Sequence, residues 1–208
     1  MLGVAADSTR PSSENCPGQA PERGARPLSI GHASGVVEIA VNNGHNRASS
    51  SKSIIMLTFE DFPPGHLGTY GPRRVTREEI LAFAAEFDPQ PMHLDEEAAS
   101  RSMLAGLSGS GWHLCSIMMR MMFDGYIGRA ASLGSPGVNE LRWLAPLRPG
   151  DDLTLDVDVV EARVSRSRPE TGIVTFKGQV RNAAGQVLCE MVSPIIVRRR
   201  AGIAAEQG

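Results

Sequence analysis

The chain has few of the features that mark disulfide-bonded, zinc-bound, membrane-spanning or polyelectrolyte-binding proteins. Its three cysteines, Cys16, Cys115 and Cys189, are odd in number and far apart. That pattern does not build a disulfide or zinc framework, and it favours reduced thiols and a cytoplasmic protein. Its charge is nearly balanced, 21 basic against 23 acidic side chains among 208 residues. No global attraction to nucleic acid or an anionic membrane follows from a net charge of −2. No apolar run reaches the length of a membrane-crossing helix, and MLGVAADSTRPSSENCPG lacks the basic start and apolar stretch of a signal peptide. Gly3 does not directly follow Met1, so the start is not a myristoylation site. There is also no HExxH-like or cysteine-rich metal spacing.

With 41% hydrophobic residues, the chain can bury one substantial core. Residues 1–55 are rich in Ser, Pro, Gly, Ala and Asn and carry one short apolar patch, SGVVEIAV. They are expected to be a disordered or low-complexity tail, dispensable for activity. A single domain is expected over 56–200, opening with a strand in MLTFEDFPPG, and a C-terminal tail over 201–208.

TREEILAFAAEF predicts a helix from about Arg77 to Phe87. Thr76 and Glu79 form a capping-box pattern, and Ile80, Phe83, Ala84 and Phe87 recur at helical spacing. Asp95 is a candidate N-cap for a second, short helix, with Glu96 and Glu97 in its first turn. SGSGWHLCSIMMRMMFDG is apolar on nearly every face, which predicts a helix wrapped by the rest of the protein. GVNELRWLAPL, DLTLDVDVVEARVS, GIVTFKGQVRN and QVLCEMVSPIIVRRR read as antiparallel strands separated by RPGD, SRPETG and NAAGQ turns. Together these elements make an α+β architecture, a long antiparallel sheet around a central buried helix.

The stretch FDPQPMH places Asp88, Gln90 and His93 around Pro89 and Pro91, directly after the predicted helix. The prolines fix their own φ and restrict the residues before them, so an acid, an amide and an imidazole are held with little freedom. An ordinary surface turn needs the prolines but not this trio.

DPQPMH resembles the D-x-N-P-x-H motif of MaoC-like dehydratases and (R)-specific enoyl-CoA hydratases, with Gln90 in place of the more usual asparagine. FEDFPPG, HLDEEAA, SGWH and GVNELRWLAPLRPGD extend the resemblance over roughly Thr58 to Arg200. It implies a single hotdog fold and reversible hydration of trans-2-enoyl-CoA, with no metal or redox cofactor. It further implies an acyl-CoA thioester as partner molecule and a homodimer or higher homo-oligomer. Such hydration needs an activated water, a proton for Cα, and donors for charge on the thioester oxygen. Asp88 and His93 can supply the first two through one shared water. By resemblance, the Gly111 backbone N–H takes the third role, at the start of the buried helix. Gln90, Ser110 and Trp112 are the candidate substrate contacts.

Other readings compete. Asp88 can be a turn cap and His93 a satisfied loop histidine, and Asp88, His93 and Asp95 can be taken as a loose metal set. His113 and the methionines read as core, Met being well suited to irregular gaps. Arg163, Arg166 and Arg168 suit either CoA phosphates or a solvated strand edge and turn, and the RRR at 198–200 suits a solubilising edge at the end of the last strand. At the level of function, a hotdog thioesterase and a non-catalytic acyl-CoA-binding module stand against the hydro-lyase.

Overall fold

The computed structural model describes residues 56–206, so the expected tail at 1–55 lies outside the described residues. Five helices and six strands follow in the order β1 (Gly65–Arg74), α1 (Arg77–Phe87), α2 (Pro91–Leu94), α3 (Glu96–Arg101), α4 (Gly111–Gly125), β2 (Ser132–Gly134), β3 (Glu140–Trp143), β4 (Asp152–Val164), β5 (Thr171–Arg181), β6 (Val187–Arg198) and α5 (Arg200–Glu206). The sheet is antiparallel, ordered β1-β4-β5-β6-β2, with β3 also pairing with β6.

The local chemistry of α1 sets its start. Thr76 Oγ1 accepts from Glu79 N at 3.1 Å, and Glu79 Oε2 accepts from Thr76 N at 3.0 Å, which satisfies two donors at the helix entrance. Asp95 caps α3 by accepting from Ala98 N at 2.7 Å. In β4, Leu153, Leu155, Val157 and Val159 alternate into the core, where they meet Met118, Met121 and Met122 of α4.

Helix α4 runs across the strands. Gly111 at its start lies against Trp143 of β3, Met118 in its middle against Gly178 of β5, and Gly125 at its end against Tyr70 of β1. A methyl group on Gly178 would come within 2.3 Å of Met118 Cε, so the missing side chain lets the helix settle onto the sheet. The result is the hotdog architecture, a sheet curled around one helix.

Three expectations need correction. MLTFEDFPPG is not a strand: Leu57 makes an isolated bridge to Ala130, and Phe59–Asp61 is a turn of 3-10 helix. The first strand is the next segment, GHLGTYGPRR, an edge strand whose register slips at two places. The tail expected at 201–208 contains α5, whose first residue is tied down by Arg200 N donating to Glu60 Oε2 at 3.0 Å and Arg200 Nη2 to Asp61 Oδ1 at 2.9 Å. Helix α4 is not wrapped all round, since Trp112, Met119 and Phe123 are about half exposed.

Candidate active site

Asp88 is the C-cap of α1, and His93 sits in the single turn α2, with Pro91 at the first helical position. Pro91 therefore starts a helix as well as ending the loop, because its fixed φ suits the N1 position. The two side chains converge, with His93 Nε2 3.6 Å from Asp88 Oδ2. His93 is buried, and its Nδ1 lies 2.9 Å from the Ser108 carbonyl oxygen. A carbonyl only accepts, so Nδ1 carries a proton, and Nε2 is the ring nitrogen that faces Asp88.

Asp88 is held from both oxygens. Ser110 Oγ donates to Oδ2 at 2.6 Å, and Gln90 Nε2 donates to Oδ1 at 2.7 Å. The Ser110 bond, then the Gln90 bond, and more weakly the nearby His93, hold the Asp88 carboxyl below its ordinary range against the opposing effect of burial. Gln90 and Ser110, expected as substrate contacts, thus turn their polar ends to Asp88.

Ser110 is also the N-cap of α4, accepting from Trp112 N at 3.2 Å. The Gly111 N–H belongs to the first turn, whose donors have no intrahelical acceptors. Trp143 Nε1 donates to the Gly111 carbonyl at 3.0 Å, and its indole lies so close that a Cβ on Gly111 would sit 2.6 Å from Cε2. Trp112 packs edge-on against Trp143 with ring centroids 5.4 Å apart.

These groups line one side of a cavity of about 540 Å³, which the side chains of Met92, Leu104, Leu114, Leu144 and Leu147 make largely apolar. A carboxylate, an imidazole and a helix N-terminus facing an apolar cavity can bind a water, remove its proton and stabilise a developing oxyanion.

The profile of the family described as "MaoC like domain" matches residues 60–180. The chain belongs to the MaoC-like dehydratase family. A MaoC-like dehydratase from Rhodospirillum rubrum is 40% identical, with a TM-score of 0.65, over 69% of this chain and 98% of that one. The R-hydratase PhaJ1 from Pseudomonas aeruginosa shares the fold at 19% identity and a TM-score of 0.55, over 69% of this chain and 86% of that one. The "Uncharacterized protein YdeM" of Bacillus subtilis (strain 168) is 31% identical over 120 residues, 57% of this chain and 83% of that protein.

The competing roles also find their places in this MaoC-like domain. Asp95, third in the loose metal set, is committed to capping α3. His113 is buried and stacked on Phe83, centroids 4.7 Å apart, and burial lowers its pKa. Cys115 and Cys189 are free thiols, while Cys16 lies outside the described residues. Arg163, Arg166, Arg168 and the arginines at 198–200 gather at the end of the sheet where Thr171 pairs with Arg198. Val180, level with Cys189 and hence with Trp143, is nine residues further along β5, roughly 30 Å away. Within the chain those arginines are remote from Asp88.

Sequence reasoning missed Ser108, whose carbonyl fixes the imidazole, and Trp143, which covers the Gly111 end of the cavity. Ser108 sits in the SGSG run as one small residue among several. Trp143 was visible only as a strand residue in NELRW.

Proposed function

We propose that this protein is a hydro-lyase that reversibly hydrates trans-2-enoyl-CoA to 3-hydroxyacyl-CoA. The observation that carries the reading is the 3.6 Å approach of His93 Nε2 to Asp88 Oδ2, with Nδ1 committed to Ser108 and the pair facing an apolar cavity. Two acceptors at that spacing hold one water by both hydrogens. The water oxygen attacks Cβ, the pair takes the released proton, and that proton is delivered to Cα. One water is consumed and no other reactant is required. Charge building on the thioester oxygen is met by the Gly111 N–H at the start of α4.

In this role Ser110 and Gln90 hold the Asp88 carboxylate, and Trp112 borders the acyl-CoA. Family membership and the R-hydratase fold neighbour are consistent with this chemistry. A homodimer is part of the proposal. Trp112, Met119 and Phe123 form an exposed apolar stripe on α4, spaced seven and four residues apart, as suits one helix face covered by a second copy.

The test is incubation with trans-2-enoyl-CoA esters while following loss of the conjugated-thioester absorbance and identifying the product. Formation of 3-hydroxyacyl-CoA supports the reading. Release of free CoA would point to a thioesterase, and binding without product over long incubation to a non-catalytic module.

A further inference from the structure

The loop between α3 and the start of α4 bears on this site through one side chain that the mechanism does not use. Arg148, half-buried in the turn after β3, sends its guanidinium to three backbone carbonyls of that loop. Nη1 donates to Gly106 O at 2.7 Å and to Leu107 O at 3.1 Å, and Nη2 donates to Leu104 O. The base of the arginine is fixed too, because Arg148 N donates to Asp151 Oδ2 at 2.8 Å. A planar fork with five donors suits several acceptors at fixed angles, which a lysine ammonium cannot match.

The loop it grips is not a low-energy turn. Ala105 has φ +52°, in the left-handed region that a residue with a Cβ seldom enters, and Gly106 follows at φ +136°. The shape brings Leu104 and Met103 to the cavity, Leu104 half-buried in its wall and Met103 almost fully exposed at its rim. The next carbonyl after the last one held by Arg148 is that of Ser108, the acceptor of His93 Nδ1. One guanidinium thus fixes both an apolar wall and the approach to the imidazole's anchor.

We propose that Arg148 is a positioning residue that holds the loop at 102–107 as the acyl-binding wall, and that Leu104 on that wall sets which acyl chains are accepted. The inference rests on the acyl-CoA reading above and deepens it. An apolar wall discriminates by contact with methylene groups, each of which changes specificity by about tenfold or more when its packing is gained or lost. The wall must therefore be held still, and strained backbone is held still by the three bonds from Arg148.

The test compares the full-length protein with Arg148→Gln and Leu104→Ala across straight-chain 2-enoyl-CoA esters of increasing length. Binding of the matching saturated acyl-CoA esters is measured by calorimetry. In both variants the ratio of kcat/KM for the best long ester to that for crotonyl-CoA should fall by about tenfold, and the ratio of binding constants should move with it. Arg148→Gln should also lower kcat for every ester, through Ser108 and His93, whereas Leu104→Ala should act mainly on the ratio. A uniform loss of rate with unchanged ratios would make Arg148 a stabilising residue only and overturn the proposal. Should Arg148→Gln fail to fold, an unchanged ratio in Leu104→Ala overturns it alone. A parent protein that binds the esters in a chain-length-dependent way without hydrating them would refute the hydratase reading and leave the wall standing. A parent that neither binds nor hydrates them refutes both.

Discussion

The Ser110 hydroxyl serves two elements at once: it accepts from Trp112 N to cap α4 and donates to Asp88 Oδ2 at 2.6 Å. Helix start and carboxylate are therefore tied by a single oxygen. Ser110→Ala should cost about 1 kcal/mol of stability for the lost cap, read by denaturant titration. It also removes the largest cause of the lowered Asp88 pKa. If Asp88 acts as the carboxylate, activity falls as pH drops through its pKa, and a lowered pKa keeps the parent active further into acid. The acid limb of kcat/KM should move to higher pH in Ser110→Ala, and less so in Gln90→Leu, whose lost bond is the second contribution. An unmoved limb would mean that Asp88 is not the titrating group. The linked stability has the same sign, being present above the unfolded carboxyl pKa of about 3.9 and lost as pH falls through the native value.

Asp88→Asn and His93→Ala should each keep the fold and acyl-CoA binding while losing activity by about 10²–10⁴-fold. If both groups hold the same water, as proposed, the double variant should be little worse than either single one. Steady-state rates on one enoyl-CoA decide this, and parental rates in both single variants would remove the pair from the mechanism.

Gly111→Ala should be harmful well beyond its size. The new Cβ would stand 2.6 Å from the Trp143 indole, so the ring must leave and its bond to the Gly111 carbonyl with it. Overpacking of this kind costs about 1–3 kcal/mol. Melting temperature and kcat should both drop, and pairing the change with Trp143→Ala should recover part of the stability. Absence of that recovery would show that the indole is not what the methyl group meets.

Phe123→Glu places a charge on the exposed apolar stripe of α4 without touching the cavity lining. Sedimentation of the parent should give a dimer, and of this variant a shift toward monomer. A parent that is a stable, fully active monomer would remove the dimer from the proposal.

Much of this was legible because local rules and tertiary fold agree. The Thr76 and Glu79 pair marked the start of α1, Asp95 marked α3, and alternation in DLTLDVDVV marked β4. The first strand was hidden because Gly65, Gly68, Gly71 and Pro72 break any alternation, and an edge strand with register slips tolerates them. The exposure of Trp112, Met119 and Phe123 was hidden for another reason. An apolar side chain that faces the core and one that faces outward look alike in a sequence. Within the site, Asp88 and His93 came from a motif, whereas the Arg148 bonds reach carbonyls about forty residues away, which carry no side-chain signature.

The fixed ring orientation of His93 carries a consequence for chirality. With Nδ1 held by the Ser108 carbonyl, the ring cannot turn over, so in the proposed reaction Nε2 and Asp88 Oδ2 would present the water from one side only. A planar enoyl group held by the Gly111 N–H, as proposed, would then offer a single face to attack. The alcohol formed should be one enantiomer, and hydration in deuterium oxide should place the label at Cα on the same face as the new hydroxyl, because the proton returns from the groups that released it.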